Sequence, residues 1–195
     1  CGDDVLHDNY NYSTVQIGLQ CWFSENCRYL PSVSPSSEGN DTDPYYYVYG
    51  YEGLDVSAAK ATTNYDTYGV LYNWHAVMTA GVCPSGWHIA SDVEFIQLID
   101  FLGGDWVAGG KMKSNLGWDN NGNGSNSSGF TALPGGGRAS SPLNFYYIGI
   151  DGGFWSSSAQ GSNDAVQYGL HGDGDYIHTH TYGQETGTSA RCIKD

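Results

Sequence analysis

The sequence predicts an α+β, β-rich domain with one or two short helices, long Gly/Asn/Ser loops and disulfides. Three observations predict this class. The 195 residues include 28 Gly and 16 Tyr, and this composition favours strands joined by many turns. Apolar and polar residues alternate near the N-terminus, whereas a central segment has the caps and spacing of a helix. Five cysteines show neither a CxxC pair nor a zinc spacing, so disulfides are favoured over a structural metal.

The N-terminal part is predicted to hold a leader and then strands. Residues 1–12 are polar and form the leader. Residues 13–24 alternate as one half-buried strand, with an apolar face made by Val15, Ile17, Leu19, Cys21 and Phe23. The next predicted elements are a loop at 31–43, a strand at 45–49, a short helix within 55–63, and an extended piece that becomes helical over 68–79.

The clearest predicted helix begins after Ser91. Ser91 and Glu94 form a capping box, and Asp92 stands in the first turn, where the helix dipole favours a negative charge. The glycine pair at 103–104 ends the helix. Its apolar stripe consists of Phe95, Ile96, Leu98, Ile99 and Leu102.

The C-terminal part is predicted to be loops followed by strands. Residues 109–153 are rich in Gly, Asn and Ser, so we expect loops with strand fragments at most. A hairpin turn is expected at 171–175. Strands are predicted at 153–158, 165–171, 176–182 and 188–193.

The charge of the chain excludes two classes of partner. The formal net charge is −14, whereas nucleic-acid phosphates and anionic membrane surfaces both require clustered Lys and Arg. The sequence also lacks an apolar run long enough for a transmembrane segment. The composition suits a soluble, exported protein, and it leaves cation binding open.

An odd number of cysteines leaves one thiol without an internal partner. Cys1 is the expected spare, because a chain that starts Cys-Gly-Asp-Asp is similar to a mature bacterial lipoprotein. Cys1 would then carry a lipid anchor; the alternatives are an intermolecular disulfide and an arbitrary start of the sequence. Residues 1–12 have no evident internal anchor, so we expect a neighbouring subunit to hold this segment by strand addition.

Several ordered motifs resemble one known family. They are Val15–Gly18, Gln20–Asn26, Tyr68–Trp74, Cys83–His88, Ser91–Phe95, Ala108–Ser114, Ser128–Gly136, Phe154–Ser158 and Ala190–Asp195. Over roughly residues 13–195 the chain is similar to the Fibrobacter succinogenes major paralogous domain. The resemblance implies an exported protein of Bacteroidetes, Fibrobacter or relatives, often a lipoprotein or surface protein. Residues 13–195 would then form a single lectin-like domain.

The resemblance also extends to the C-type-lectin-like fold, which includes the formylglycine-generating enzymes. In that fold a late cysteine often pairs with one near the first helix, which implies a Cys83–Cys192 disulfide here. The final strand is implied to pair with the first. A second pair, Cys21–Cys27, forms only if the chain bends sharply, because an extended six-residue step reaches about 20 Å.

Two patterns offer weak metal ligands. Asp119, Asn121 and Asn123 match the first half of an EF-hand loop, but Phe130 stands where the bidentate Glu is required, so an Asn/Gly turn is the alternative. His178 and His180 lie two apart on a predicted strand and therefore share one face. With His171, Asp173 or Asp175 they could begin a zinc site, or they belong to a solvent-facing strand.

Catalysis is not predicted. The chain has no G-x-S-x-G or H-E-x-x-H motif, and only one cysteine near its C-terminus, whereas formylglycine-generating enzymes need a pair. We therefore expect no cofactor, with calcium as the one candidate. Four N-x-S/T sequons would matter only in a host that glycosylates them: Asn11, Asn40, Asn123 and Asn126.

Three functional hypotheses follow. The first is a secreted structural or adhesive subunit of the bacterial cell surface, which assembles into an extracellular filament through its N-terminal segment and binds copies of itself or other surface proteins. The second is a glycan-binding lectin-like module, because exposed Tyr and Trp suit sugar stacking. The third is a formylglycine-generating-type or metal-dependent enzyme.

Overall fold

Two main sheets organise the chain in the computed structural model, which describes residues Cys1–Asp195. The elements in chain order are β1 (Val5–His7), β2 (Tyr10–Tyr12), β3 (Thr14–Ile17), β4 (Gln20–Phe23), β5 (Tyr46–Tyr47), α1 (Val56–Lys60), α2 (Thr63–Tyr68), β6 (Leu71–Tyr72), α3 (Trp74–Val77), β7 (Trp87–Ile89), α4 (Asp92–Leu102), α5 (Asp105–Met112), β8 (Gly135–Ser140), β9 (Leu143–Ile148), β10 (Asp151–Gln160), β11 (Asp164–His171), β12 (Ile177–Gly183) and β13 (Cys192–Lys194). The α+β, β-rich class is confirmed.

The five-stranded sheet has the order β12-β11-β10-β8-β9, and the four-stranded sheet has the order β3-β4-β13-β7. Strands in both sheets pair antiparallel, except for the parallel contact between β10 and β8. The pairs β1–β2 and β5–β6 form two small two-stranded sheets. No helix has both the length and the hydropathy that a membrane span needs.

The strand predicted over residues 13–24 is a hairpin instead. β3 and β4 pair antiparallel, with Ile17 opposite Gln20, so Gly18 and Leu19 form a two-residue loop. Gly18 has φ of +60°, and tight hairpin loops of this length favour glycine in that conformation. Leu19 is therefore at the tip and fully exposed rather than on the apolar face. The final strand β13 pairs with β4, the second arm of this hairpin, and with β7.

The predicted central helix is confirmed as α4. Ser91 is its N-cap, the capping box with Glu94 is formed, and Gly103 ends the helix in a left-handed conformation. Ile96 was predicted to lie in the apolar stripe but is 45% exposed. The four other stripe residues are buried: Phe95, Leu98, Ile99 and Leu102.

The stretch predicted as loops contains the second half of one helix, two complete strands and the start of β10. α5 occupies 105–112, and β8 and β9 form a hairpin over 135–148. Two helical glycines, Gly109 and Gly110, obscure α5 in the sequence because glycine is a poor helix former. Gly109 is needed because α5 packs closely against the turn between β11 and β12. A Cβ on Gly109 would lie 2.3 Å from the Tyr176 carbonyl oxygen.

The core consists of two aromatic-rich clusters. One contains Phe23 and Trp155, and the other contains Trp22 and Phe154. Neighbouring residues of β4 and of β10 thus enter different clusters, because successive side chains of a strand point to opposite faces. The two strands therefore carry side chains into both clusters.

Three buried cations hold loops to the sheets. Lys113, Arg138 and Arg191 are each at most 1% exposed, and none of them has a carboxylate partner within 4.0 Å. The Lys113 ammonium donates to the carbonyls of His171 and Gly174 at 3.0 and 2.7 Å. Backbone oxygens thus replace water around a charge that would otherwise be costly to bury.

The N-terminal segment has internal anchors, contrary to the prediction. β1 and β2 form a hairpin, Tyr12 is fully buried, and its hydroxyl accepts a hydrogen bond from the Arg28 amide at 2.8 Å. The His7 Nε2 atom donates to the Gly81 carbonyl at 2.7 Å. The reason for expecting a neighbouring subunit to hold residues 1–12 is therefore gone.

Candidate functional site

Four adjoining depressions follow one another along the five-stranded sheet and the turns at its end; together we call them the His/Tyr groove. It begins as an open depression of about 390 Å³ beside the β8–β9 hairpin. A small cavity of about 30 Å³ follows in the middle, and two open depressions of about 220 and 270 Å³ continue to the 119–123 and 171–175 turns. Adjacent sections share residues: Tyr146 and Tyr182 at the first junction, Asp151 and His171 at the second.

Rings on β12 and the turn before it line up beside the groove as an aromatic ladder of Tyr176, His178, His180 and Tyr182. Consecutive ring centroids are 4.6, 5.7 and 5.3 Å apart. The prediction that His178 and His180 share a face is confirmed. His171, at the end of β11, completes a triangle with them, with centroid distances of 5.7 Å to His178 and 5.9 Å to His180.

The strand register explains why these rings gather. Gly169 lies opposite His178, and Gln167 lies opposite His180. Because Gly169 has no side chain, the ring of His180 leans over it; a Cβ there would be 3.0 Å from His180 Cδ2. Gly153 lies opposite Gly169 on β10, and a Cβ on Gly153 would be 1.9 Å from the Gln167 side-chain nitrogen. Glycines thus form the floor of the groove.

The middle cavity collects buried polar atoms that have no hydrogen-bond partner within the protein. They are His180 Nε2, Gln167 Oε1 and Thr188 Oγ1, and all three residues line this cavity. Gln167 and Thr188 are almost fully buried. Buried polar groups normally have partners, so three such atoms around one cavity indicate a place where a polar ligand group or water binds.

The pKa values of His171 and His180 shift in opposite directions. His171 Nδ1 donates to Asp151 Oδ1 at 2.9 Å, because these residues face each other on β11 and β10. This hydrogen bond raises the pKa of His171 and outweighs the opposite effect of burial. Burial and the neighbouring His171 and His178 lower the pKa of His180. At neutral pH, His180 is thus a neutral imidazole with one nitrogen free to accept.

Tyrosines line the wide end of the groove. Tyr146 and Tyr147 pack edge to face with centroids 5.3 Å apart, and Tyr182 borders the same depression. Burial raises the pKa of Tyr146 to about 12, so its hydroxyl stays protonated. Tyr147 and Tyr182 are 59% and 39% exposed, so both side chains are accessible to a ligand at this end of the groove.

The residues predicted to bind calcium do not share one site, because their side chains contact different parts of the backbone. Asn123 Oδ1 accepts from the Trp118 amide at 3.0 Å, whereas the Asp119 carboxylate lies against Gly149. Asn121 is exposed and has a positive φ. The Asn/Gly turn, the alternative interpretation, describes this segment, and calcium binding stays a prediction.

The four sequons lie at the surface in different states. Asn11 is exposed on β2, and Asn123 is exposed but bonded as described above. The amide nitrogen that a glycan would occupy donates internally in the other two: Asn40 to Asp43 at 2.8 Å and Asn126 to Thr131 at 3.0 Å. Glycosylation stays a prediction for all four.

The cysteines pair in part as expected. Cys83 and Cys192 form the implied disulfide. The predicted Cys21–Cys27 pair is wrong, because Cys21 bonds to Cys1. The physical reason is that β4 carries the chain straight on from Cys21 to the core, where the Cys27 amide donates to the Ala190 carbonyl at 3.0 Å. Cys1 is therefore not the expected spare cysteine, because its sulfur is bonded to Cys21.

Cys27 is the free thiol and is fully buried. Its sulfur lies 3.5 Å from that of Cys192, and burial raises its pKa to about 12, so it is protonated at neutral pH. Cys27, Cys83 and Cys192 are the one group of three metal-ligand residues whose ligand atoms all lie within 4.8 Å of one another. Two of the sulfurs are oxidised, so this cluster is a disulfide with a neighbouring thiol.

Sequence reasoning missed four groove residues, Tyr146, Asp151, Gln167 and Thr188. They come from β9, β10, β11 and the segment before β13, and each looks like an ordinary strand residue in the sequence. The hairpin turn predicted at 171–175 was the one usable signal, because it brings His171 back beside His178.

Comparison with known proteins identifies a family but no characterised relative. No curated protein and no solved structure matched the chain, so the lectin-like architecture implied by the resemblance stays a prediction. The family model described as the Fibrobacter succinogenes major domain matches residues 15–194, nearly the whole chain. The chain therefore belongs to the Fibrobacter succinogenes major domain family.

Proposed function

We propose that this chain is a non-catalytic adhesive module of the outer cell surface, which binds a glycan along the His/Tyr groove. The observation that carries the proposal is the groove itself. It combines exposed tyrosine faces with buried polar atoms that have no partner within the protein. Sugars need both features, because their C–H faces stack on aromatic rings and their hydroxyls require hydrogen-bond partners.

The shape of the groove favours an extended ligand over a compact one. Its middle cavity, of about 30 Å³, holds roughly one water-sized group, which suits a single hydroxyl but not a sugar ring. The wide depression beside Tyr182 and Tyr147, of about 390 Å³, has room for a ring. A chain of linked sugars would place a ring at this end and project a hydroxyl towards His180 and Gln167.

The surface location is inferred from the disulfides. Cys1–Cys21 and Cys83–Cys192 are typical of proteins that fold in oxidising compartments. An adhesive role at the cell exterior suits both the disulfides and the family. Filament assembly through residues 1–12 is not part of this proposal, because that segment is held by its own chain.

Binding to purified polysaccharides tests the proposal. Soluble and insoluble glycans would be presented to the intact protein, with and without a metal chelator. Tyr182→Ala and Tyr147→Ala are expected to weaken binding by about tenfold, the effect of roughly 1.4 kcal/mol from a lost stacked ring. Phe101→Ala is the matched control, since Phe101 is 65% exposed and lies on α4, away from the groove.

The expected result is binding that survives chelation and is about tenfold weaker in each of the two tyrosine variants. If no glycan binds, the proposal fails. It also fails if Phe101→Ala weakens binding as much as Tyr182→Ala does, because the groove would then not be the binding surface.

A further inference from the structure

The imidazole rings of His171, His178 and His180 lie close together beside β11 and β12. The ring centroids of His171, His178 and His180 form a nearly equilateral triangle with sides of 5.7, 5.7 and 5.9 Å. When three histidines bind one tetrahedral ion through nitrogens about 2.1 Å away, their centroids lie roughly 5 Å apart. The observed triangle is larger by less than one ångström.

Two of the three rings have the hydrogen-bond state of metal ligands. His171 donates through Nδ1 to Asp151 at 2.9 Å, which leaves Nε2 as the nitrogen with a free lone pair. A carboxylate behind a histidine is the usual support for a zinc ligand. His180 Nε2 is buried and has no partner within the protein.

The third ring, that of His178, can move to complete the site. His178 is exposed, so its side chain can rotate at little cost. In the present rotamers the three residues do not bring one nitrogen each within 4.8 Å of the others. Binding requires the ligand nitrogens to move closer together, and the exposed His178 can move because its partner in β11, Gly169, has no side chain to oppose it.

The donor set and the charge favour one class of ion. Three neutral imidazoles suit Zn²⁺, Ni²⁺ or Cu²⁺ rather than the oxygen-seeking Ca²⁺ or Mg²⁺. The carboxylates of Asp151 and Asp173 line the depression next to His171. A chain with a net charge of −14 attracts cations to such a site.

We propose that His171, His178 and His180 bind one divalent transition-metal ion, with zinc as the reference ion, and leave a fourth position open to water or a ligand. The site does not depend on glycan binding. His178 is not among the residues that line the groove's middle cavity, so its variant tests the metal without removing a groove wall.

Calorimetric titration of the intact, metal-free protein with Zn²⁺ tests the proposal. The wild type is expected to bind one ion per chain, and His178→Gln and His180→Gln to weaken binding at least about tenfold. Asp151→Asn is expected to weaken it about tenfold through His171. Cobalt(II) provides a second readout, because a tetrahedral site with nitrogen ligands has visible absorption bands.

His75→Gln is the matched control. His75 also has a buried Nε2 without a partner, but it lies on α3, outside the triangle. Retained binding in His75→Gln together with loss in His178→Gln supports the site. The proposal is overturned if zinc does not bind the wild type, or if it binds His178→Gln and His180→Gln as tightly as the wild type.

Discussion

Replacing Arg191 with methionine would test how a buried charge without an acidic partner stabilises this fold. Arg191 is fully buried, and its guanidinium lies over the ring of Phe130 with 4.1 Å to the ring centroid. It donates to four neutral oxygens: Asn26 Oδ1 and the carbonyls of Phe23, Phe130 and Thr131. Arg191 thereby ties β4 to the loop that precedes β8.

The magnitude follows from the acceptors left behind. Each buried acceptor that loses its donor costs about 1–3 kcal/mol, so four of them give roughly 4–12 kcal/mol. Methionine recovers part of this, because removing a buried charge relieves several kcal/mol of desolvation. We expect a net loss of about 3–5 kcal/mol in the free energy of unfolding. For a domain of this size, that lowers Tm by roughly 6–20 °C.

Thermal unfolding with intact disulfides, followed by near-ultraviolet circular dichroism, measures the effect. Lys194→Met is the control, because Lys194 is an exposed cation just downstream on β13, and its loss should change Tm little. The reasoning would be refuted if Arg191→Met unfolded within about 1 kcal/mol of the wild type, since the hydrogen bonds would then contribute nothing net.

Two further predictions concern a histidine and the cysteines. Burial alone would lower the pKa of His88, but its hydrogen bonds, including that to Asp195 at 2.7 Å, raise it overall. The resulting stabilisation is full below pH 6.5 and declines as the pH rises through the folded-state pKa. The urea midpoints of wild type and His88→Gln should therefore converge at higher pH, and a constant difference would contradict this. In Cys83→Ser refolded under oxidising conditions, Cys27 should pair with Cys192, since their sulfurs lie 3.5 Å apart; non-reducing peptide mapping that finds both thiols free would count against it.

Elements marked by short-range sequence patterns were predicted correctly. Ser91 and Glu94 cap α4 as their spacing indicates, because a capping box depends on residues three apart in sequence. The hairpin over β3 and β4 was missed because its polar alternation continues through Gly18 and Leu19, as in a single strand. Only the positive φ of Gly18 reveals the turn, and a glycine alone does not specify it.

The candidate site was predictable only along β12 and the turn before it. Period-two spacing placed His178 and His180 together, but Gln167 and Asp151 join them through the strand register, which depends on pairing across the sheet. The Cys1–Cys21 bond was missed for the same reason. Sequence separation gave no indication that the first residue lies beside β4.

The burial of three cations changes the balance of positive and negative side chains at the protein surface. Of the seven Lys and Arg side chains, three are buried, whereas none of the 21 Asp and Glu side chains is. Four cations and 21 acids are therefore at least partly exposed. Copies of the domain displayed side by side repel one another over about a Debye length, roughly 10 Å at 0.1 M salt. A dense layer of this protein should thus swell in dilute medium and contract when divalent counter-ions are added.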